Sequence, residues 1–403
     1  NSSSFFGTCV NMTGDGSRVI IGAPSDDPPF GASNAVISGH GSAHIMVRNT
    51  STSPITWDHE QELTDLYPVY PKVSSGSFAI VGARSHKNGT SVAAGKCFIF
   101  VRNTISNAWT YEAGLIHPNS PASTDYFGRH VDMSGDGTRV IIGAHSDEPT
   151  TGTLLDTGSA HIFVRSGTNW VHEKELRHEV NRIASIDAMV EYEHFGKGVT
   201  MSDDGTMVAV GAPQLHEFGY GLKYDVGGAF IYNKNVSNEW ILNTRLAHPS
   251  PQDAAEFGGK TDSLGAAIAL SGDGTHVIVG VALDDIDVGG VLKTNAGSVQ
   301  IFRVSTPEEI TDYVYDSSNQ VFTATGSGIT IGSTVQLQGV DGTLYSVFDT
   351  TIPNAAGTQI TFKIGALGVS GGYAVAQQPY KVKVNGSSGL SGFSTATIGI
   401  GGM

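Results

Sequence analysis

The sequence predicts an all-β chain: a β-propeller of four-stranded blades, five of them countable, followed by a small β-sandwich domain. Three observations predict it. Fifty-two of 403 residues are glycine and only 15 % are charged, a composition for short strands and tight turns rather than long helices. Glycine-centred turns recur in register through most of the chain. Residues 306–403 then lose that repeat and alternate in short apolar stretches.

The repeat is set by spacing. Asp-Gly turns at Asp15-Gly16, Asp136-Gly137, Asp204-Gly205 and Asp273-Gly274 each place their glycine nine residues after that of Phe6-Gly7, Phe127-Gly128, Phe195-Gly196 and Leu264-Gly265. Another glycine follows each turn six residues later, at Gly22, Gly143, Gly211 and Gly280, and a degenerate copy keeps only Gly76 and Gly82. The turn glycines are thus 60, 61, 68 and 69 residues apart. The Gly-Asp-Gly and Asp-Asp-Gly turns suit a type I′ hairpin or a bulged relative.

Each unit continues to an apolar third strand, Ala43-Val47, Phe98-Val101, Ala160-Val164, Ala229-Tyr232 and Val299-Phe302. Four units add a tryptophan with a leucine six residues on: Trp57/Leu63, Trp109/Leu115, Trp170/Leu176 and Trp240/Leu246. Even spacing on a regular strand puts both side chains on one face, where they would fill the gap between stacked sheets. Units of this size cannot bury both faces alone, and radial stacking of four-stranded meanders gives a propeller, with a solenoid as the runner-up. The fifth unit lacks the Trp-Leu strand. Its outer strand is expected from upstream of Asn1 or from Tyr313-Val321.

Phe-Gly followed by Gly-Ala-Pro, at Gly22-Ala23-Pro24 and Gly211-Ala212-Pro213, resembles the FG-GAP repeats of integrin α-subunit propellers and related surface proteins. The resemblance covers Phe6 to about Arg303 and implies a propeller domain over 1–305, with seven blades the usual number. Units two, three and five depart from it, with Gly82-Ala83-Arg84, Gly143-Ala144-His145 and Gly280-Val281-Ala282. The calcium loops common in that family need more carboxylates than Asp15, Asp136, Asp203-Asp204 or Asp273 supply. In the C-terminal domain, 306–403, Gly332-Ser333-Thr334-Val335 and Tyr380-Lys381-Val382-Lys383-Val384-Asn385-Gly386 resemble immunoglobulin-like TIG modules of surface proteins, and the alternation reads as a sandwich.

A net charge of −15 without a Lys/Arg cluster in sequence argues against a nucleic-acid partner. No apolar run is long enough to span a bilayer. Cys9 and Cys97 form no CxxC signature, and two free thiols are the default expectation. The chain starts at Asn1 without Met, which suggests processing or omitted upstream sequence. Sequons at Asn11, Asn49, Asn88, Asn235 and Asn385, besides Asn1, are candidate glycosylation sites and fit an extracellular, cell-surface or virion-surface location.

No enzyme motif is complete. His59-Glu60 and His172-Glu173 begin a zinc-protease pattern, but Leu63 and Leu176 stand where the second histidine belongs, so both read as strand residues. The variable segments between the second and third strands offer a binding face on a rigid scaffold. There Asp147, Glu148, Phe218, Tyr220 and Tyr224 are the candidate ligand contacts. Asp26, Asp27, Asp284, Asp285 and Asp287 are carboxylates that could hold Ca²⁺. The expected function is non-enzymatic recognition or adhesion, with a protein or glycan partner and the C-terminal domain as the attachment module. A structural subunit of a fibre or viral shell, self-associating, and a secreted hydrolase are the alternatives.

Overall fold

The computed structural model describes residues 5–304 apart from 27–28, 31–34, 37–40, 65–68, 75–76, 120–121, 149–155, 179–192, 216–225, 236–237, 248–262, 290 and 295; beyond 304 it describes the strands. All described regular structure is β. The chain divides into two compact units, Asn1–Arg303 and Val304–Met403.

The first unit is a propeller of five antiparallel blades, each running in chain order. Blade I comprises Cys9–Met12, Arg18–Ala23, Ser42–Asn49 and Thr56–Leu63; blade II, Val69–Val73, Phe78–Ala83, Lys96–Arg102 and Trp109–Leu115. Blade III is Val131–Met133, Arg139–Ala144, Ser159–Ser166 and Asn169–Leu176, and blade IV is Gly198–Met201, Met207–Ala212, Gly228–Lys234 and Trp240–Leu246. Blade V holds Leu264–Leu270, His276–Val281 and Ser298–Arg303, with a side hairpin of Ile286–Val288 and Val291–Lys293. No fourth strand of blade V lies among the described residues. Tyr313 pairs with Ala324 in the second unit, so the expected use of Tyr313-Val321 as that outer strand is corrected.

The Asp-Gly hairpins take the bulged form. Only the glycine of each pair is left-handed, as at Gly16 with φ 66°, and its amide donates to the carbonyl of Thr13 at 2.9 Å. A type I turn closed by a glycine bulge has this pattern, whereas type I′ needs two positive φ angles. The Asp15 carboxylate accepts from the Thr13 hydroxyl at 2.6 Å and the Ser17 amide at 2.9 Å. These bonds hold its pKa down to about 2. Asp136, Asp204 and Asp273 repeat the arrangement with Ser and Thr donors. The turn aspartates are therefore employed in folding the hairpin.

Blades join through glycine sockets. A residue in left-handed conformation (Tyr126, φ 53°) presents Phe127, fully buried, and Gly128 (φ 89°) to the preceding blade. A β-carbon on Gly82 would lie 2.1 Å from the Gly128 carbonyl oxygen, and one on Gly95 would lie 1.9 Å from that of Phe127. His194-Phe195-Gly196 enters Gly143 and Gly158 in the same way, and Ser263-Leu264-Gly265 enters Gly211 and Gly227. The repeated glycines exist because two backbones touch there.

The Trp-Leu expectation needs one correction. Trp109 joins the apolar core between blades I and II, with Ile45, Leu63 and Phe100, while Leu115 joins the core between II and III, with Phe127 and Val140. Trp170 and Leu176 separate likewise between the II/III and III/IV cores. They face opposite ways because a β-bulge shifts the register between them, at Tyr111/Ala113 in blade II and at the matching pairs in blades I, III and IV. One inserted residue reverses the alternation. The indoles still serve the blade junctions: Trp109 and Trp240 are buried, whereas Trp57 of blade I is 39 % exposed.

The bulged residue is a glutamate in three blades, and it latches the junction. Glu60 binds Arg18 of its own blade, Arg102 of the next, and the Trp109 indole N–H. Glu112 takes Arg165 and Trp170; Glu173 takes Arg139, Lys234 and Trp240. His59-Glu60 and His172-Glu173 are strand residues, as expected.

The second unit has two antiparallel sheets. One pairs Glu309–Asp316, Val321–Ser327 and Gln359–Phe362; the other orders Leu344–Ser346, Thr334–Gln338, Tyr380–Asn385 and Ser391–Ile398. Cys9 and Cys97 are free thiols.

Candidate functional site

Three of the carboxylates expected at ligand sites have structural duties. Asp26, Asp147 and Asp284 occupy one position, four residues after the second repeat glycine, and their carbonyls anchor the loop by accepting from Gly41, Gly158 and Gly297 at 2.9–3.0 Å. Asp147 is 5 % and Asp284 6 % exposed, so neither is the open loop carboxylate that its sequence suggests. Asp285 is half-buried and Glu148 is exposed. Asp27, Phe218, Tyr220 and Tyr224 lie outside the described residues, as does the side chain of Asp287. At the sequons, Asn49 Nδ2 donates to Asp58 at 2.8 Å, Asn235 Nδ2 donates to Glu239 at 3.3 Å, and the Nδ2 of Asn88 is buried. Asn11 is half-buried, its Oδ1 accepting from the Val73 amide at 3.4 Å. Asn385 pairs with Thr334 and Ser391 in the second unit.

Asp147 is the hub of a buried network. Its Oδ2 meets His117 Nε2 at 3.0 Å, accepts from Ser159 Oγ at 2.6 Å, and is bound by Arg177. Ser159 also meets His161, and His161 meets His172. Blade I repeats this chain as Asp26, Ser42, His44 and His59. Burial opposes ionisation of Asp147, but His117, Arg177 and Ser159 leave its carboxyl below the usual range. Burial and His117 hold the His161 imidazole well below its ordinary pKa.

Among the described residues two groups of donors are close enough for a metal ion: His117, Asp147 and His161, and Asp26, His44 and Glu62, each set within 4.8 Å. Imidazole with carboxylate suits a borderline divalent ion such as zinc rather than Ca²⁺, which takes oxygen. At Asp147 such an ion has to displace Arg177 and Ser159.

A different set gathers positive charge. Residues near the knobs and sockets of the II/III and III/IV junctions converge into one cationic cluster: Arg84, Arg129, His130, His145, His194 and Lys197. Tyr126 stacks on His145 with ring centroids 5.3 Å apart, the Arg84 guanidinium lies 6.0 Å from the Tyr126 ring, and His194 is 5.4 Å from His145. His145 is 7 % exposed. Its Nδ1 and that of His194 are buried without a hydrogen-bond partner among the described residues. Burial first, then Arg129, Lys197 and Arg84, pushes His130 down to about 4. Burial with Arg129, His194, Lys197 and Arg84 pushes His145 down to about 2. Burial and Arg129 hold Lys197 below the ordinary lysine value. Neutral imidazoles thus sit among fixed positive charges, in a chain of net charge −15. Such a group can receive an anion.

Residues 109–163 match the family model of the FG-GAP repeat. The FG-GAP match runs from the outer strand of blade II to the third strand of blade III, spanning the Glu112 latch and the Phe127-Gly128 knob. No curated protein matches the chain. Among solved structures it is similar to Sqt1 of Saccharomyces cerevisiae, at 11 % identity over 95 % of this chain and 82 % of that one, with a TM-score of 0.39. It is similar to a putative 6-phosphogluconolactonase of Bacteroides uniformis, at 10 % identity over 79 % and 77 %, TM-score 0.42. The periplasmic gluconolactonase PpgL of Pseudomonas aeruginosa gives 10 % identity over 98 % and 86 %, TM-score 0.40.

The cationic cluster was missed in sequence because its members come from three blades. Its signal was the departure from Gly-Ala-Pro: Arg84 and His145 stand where two other units have proline.

Proposed function

We propose that this FG-GAP-type propeller is a non-enzymatic recognition module that binds an acidic protein segment or an anionic glycan at the cluster around His145. The second unit would serve as the attachment module, outside a cell or on a virion. The observation that carries this reading is the convergence of Arg84, Arg129 and Lys197 on a buried imidazole whose Nδ1 has no partner among the described residues. A carboxylate or sulfate there would gain charge-assisted hydrogen bonds. The Asp147 and Asp26 networks are occupied by their own chain, which fits a scaffold rather than a reaction centre.

Calorimetric titration with sulfate, and a glycan array of sulfated and carboxylated sugars, test the reading. Arg129→Ala with Lys197→Ala should weaken binding by about a hundredfold or more, on about 1.5–3 kcal/mol for each of the two charge-assisted bonds lost. Wild-type protein that binds no anion, or binding indifferent to both substitutions, refutes it.

The same site predicts a pH effect. His130 and His145 have folded pKa values below the unfolded 6.5, about 4 and about 2, so from 6.5 down to those values the unfolded chain binds protons that the folded one refuses. Their contribution to stability is complete above 6.5 and is lost as pH falls through that window. A bound anion favours the imidazolium, so sulfate should raise Tm more at pH 5 than at pH 7.5 at fixed ionic strength. Thermal melts of wild type and the double variant measure this.

A further inference from the structure

The blade junction recurs inside the chain, and its two halves also stand without a partner half at the ends of the blade series among the described residues. On blade V, Gly280 and Gly297 occupy the socket positions held by Gly82 and Gly95, Gly143 and Gly158, and Gly211 and Gly227. Among the described residues, the nearest atom to a β-carbon on Gly280 is Ala267 of the same blade at 3.4 Å, and to one on Gly297 the backbone of Ala282 at 3.2 Å. Between them lies a cavity of about 250 Å³, lined by Ala267, Gly280, Val281, Gly297, Ser298 and Val299. The face around it is bare: Ile278 is 46 %, Val299 63 % and Ile301 67 % exposed.

Blade I carries the other half. Phe5 (φ 51°), Phe6 and Gly7 (φ 91°) repeat the backbone of Tyr126-Phe127-Gly128 (φ 53° and 89°) and His194-Phe195-Gly196 (φ 53° and 89°). The Gly7 amide bonds to its own blade at Gly22, as Gly128 does to Gly143. Yet Phe6 is 55 % exposed where Phe127 and Phe195 are fully buried, and nothing lies within 4 Å of a β-carbon built on Gly7. Val10 and Met12 beside it are 64 % and 51 % exposed.

We propose that blade V is a docking surface for a second copy of this chain, whose Phe5-Phe6-Gly7 knob enters the Gly280/Gly297 socket. The occupant is chosen on shape and chemistry: the socket type accepts a left-handed residue, an aromatic or leucine, and a left-handed glycine, and the knob of that pattern left exposed among the described residues belongs to the chain itself. The contact is head-to-tail, each molecule giving a knob and a socket on different surfaces, so it propagates into rings or filaments rather than stopping at a two-fold dimer. Apolar burial on both faces drives it.

The test uses the full chain in sedimentation equilibrium from low to high micromolar concentration. Wild type should rise in average mass with concentration. Phe6→Asp disables the knob, and Gly280→Val fills the socket; Phe6 is more than half exposed, and the nearest atom to a β-carbon on Gly280 lies at an ordinary 3.4 Å, so circular dichroism should show both folded. Each variant alone should remain monomeric. An equimolar mixture should form a one-to-one dimer and grow no further, because one intact socket and one intact knob remain. Wild-type protein that stays monomeric throughout, including by closing its own knob into its own socket, overturns the proposal. So does association that survives both substitutions.

Discussion

Gly143→Ala should prevent blade IV from docking on blade III, with a loss of at least about 4 kcal/mol or failure to yield soluble protein. The β-carbon would sit 2.0 Å from the carbonyl oxygen of Gly196 and 3.0 Å from its carbon. Those atoms belong to backbone, so no rotamer change relieves the overlap. The knob must retreat, taking Phe195 out of a core that includes Ile162, Leu176, Val210 and Phe230. Gly211→Ala, with its β-carbon 2.0 Å from the Gly265 carbonyl oxygen, should behave alike. Gly280→Ala is the control: its nearest contact is Ala267 at 3.4 Å, and a change within about 0.5 kcal/mol is expected. Urea unfolding of the three variants decides it. Equal midpoints would mean that blade contact does not depend on glycine at these positions.

These glycines were legible in the sequence because their constraint is steric and local. A position that tolerates no β-carbon leaves a glycine behind, and spacings of nine and six residues fix the hairpin between two such positions. The Asp-Gly turns were legible for a similar reason, since the glycine there is left-handed. The facing of the Trp-Leu pair was not, because alternation assumes an unbroken strand. The bulge at Glu60, Glu112 and Glu173 adds a residue that spacing alone cannot register. Asp147 looked like a loop carboxylate beside Glu148, and the two neighbours differ as buried and exposed. What buries Asp147 is contact with His117 and Arg177, each 30 residues away in sequence. The cationic cluster depends on still longer separations, from Arg84 in blade II to Lys197 before blade IV.

The latch glutamate is the residue whose removal should cost most after the socket glycines. Glu173 stands 16 % exposed on its bulge and accepts from Arg139 Nε at 2.9 Å, Arg139 Nη2 at 3.2 Å, Lys234 Nζ at 2.6 Å and Trp240 Nε1 at 3.2 Å. Burial works against its charge, but these donors leave its pKa below the ordinary 4.5. Glu173→Ala would strand Lys234, whose side chain is 5 % exposed, without its counter-charge, and removing one partner of a buried pair costs about 3–5 kcal/mol. Partial exposure of Glu173 and Arg139 places the expectation near the lower end, about 3 kcal/mol. Glu173→Gln keeps an acceptor for the Trp240 indole and should lose less. Because the folded pKa is depressed, the contribution of Glu173 is complete above pH 4.5 and disappears as pH falls from there through the folded value. The stability difference between wild type and Glu173→Gln should therefore shrink on acidification below pH 4.5. Denaturant melts at pH 7 and in steps below 4.5 measure it, and a difference independent of pH would show that Glu173 acts by packing rather than by charge.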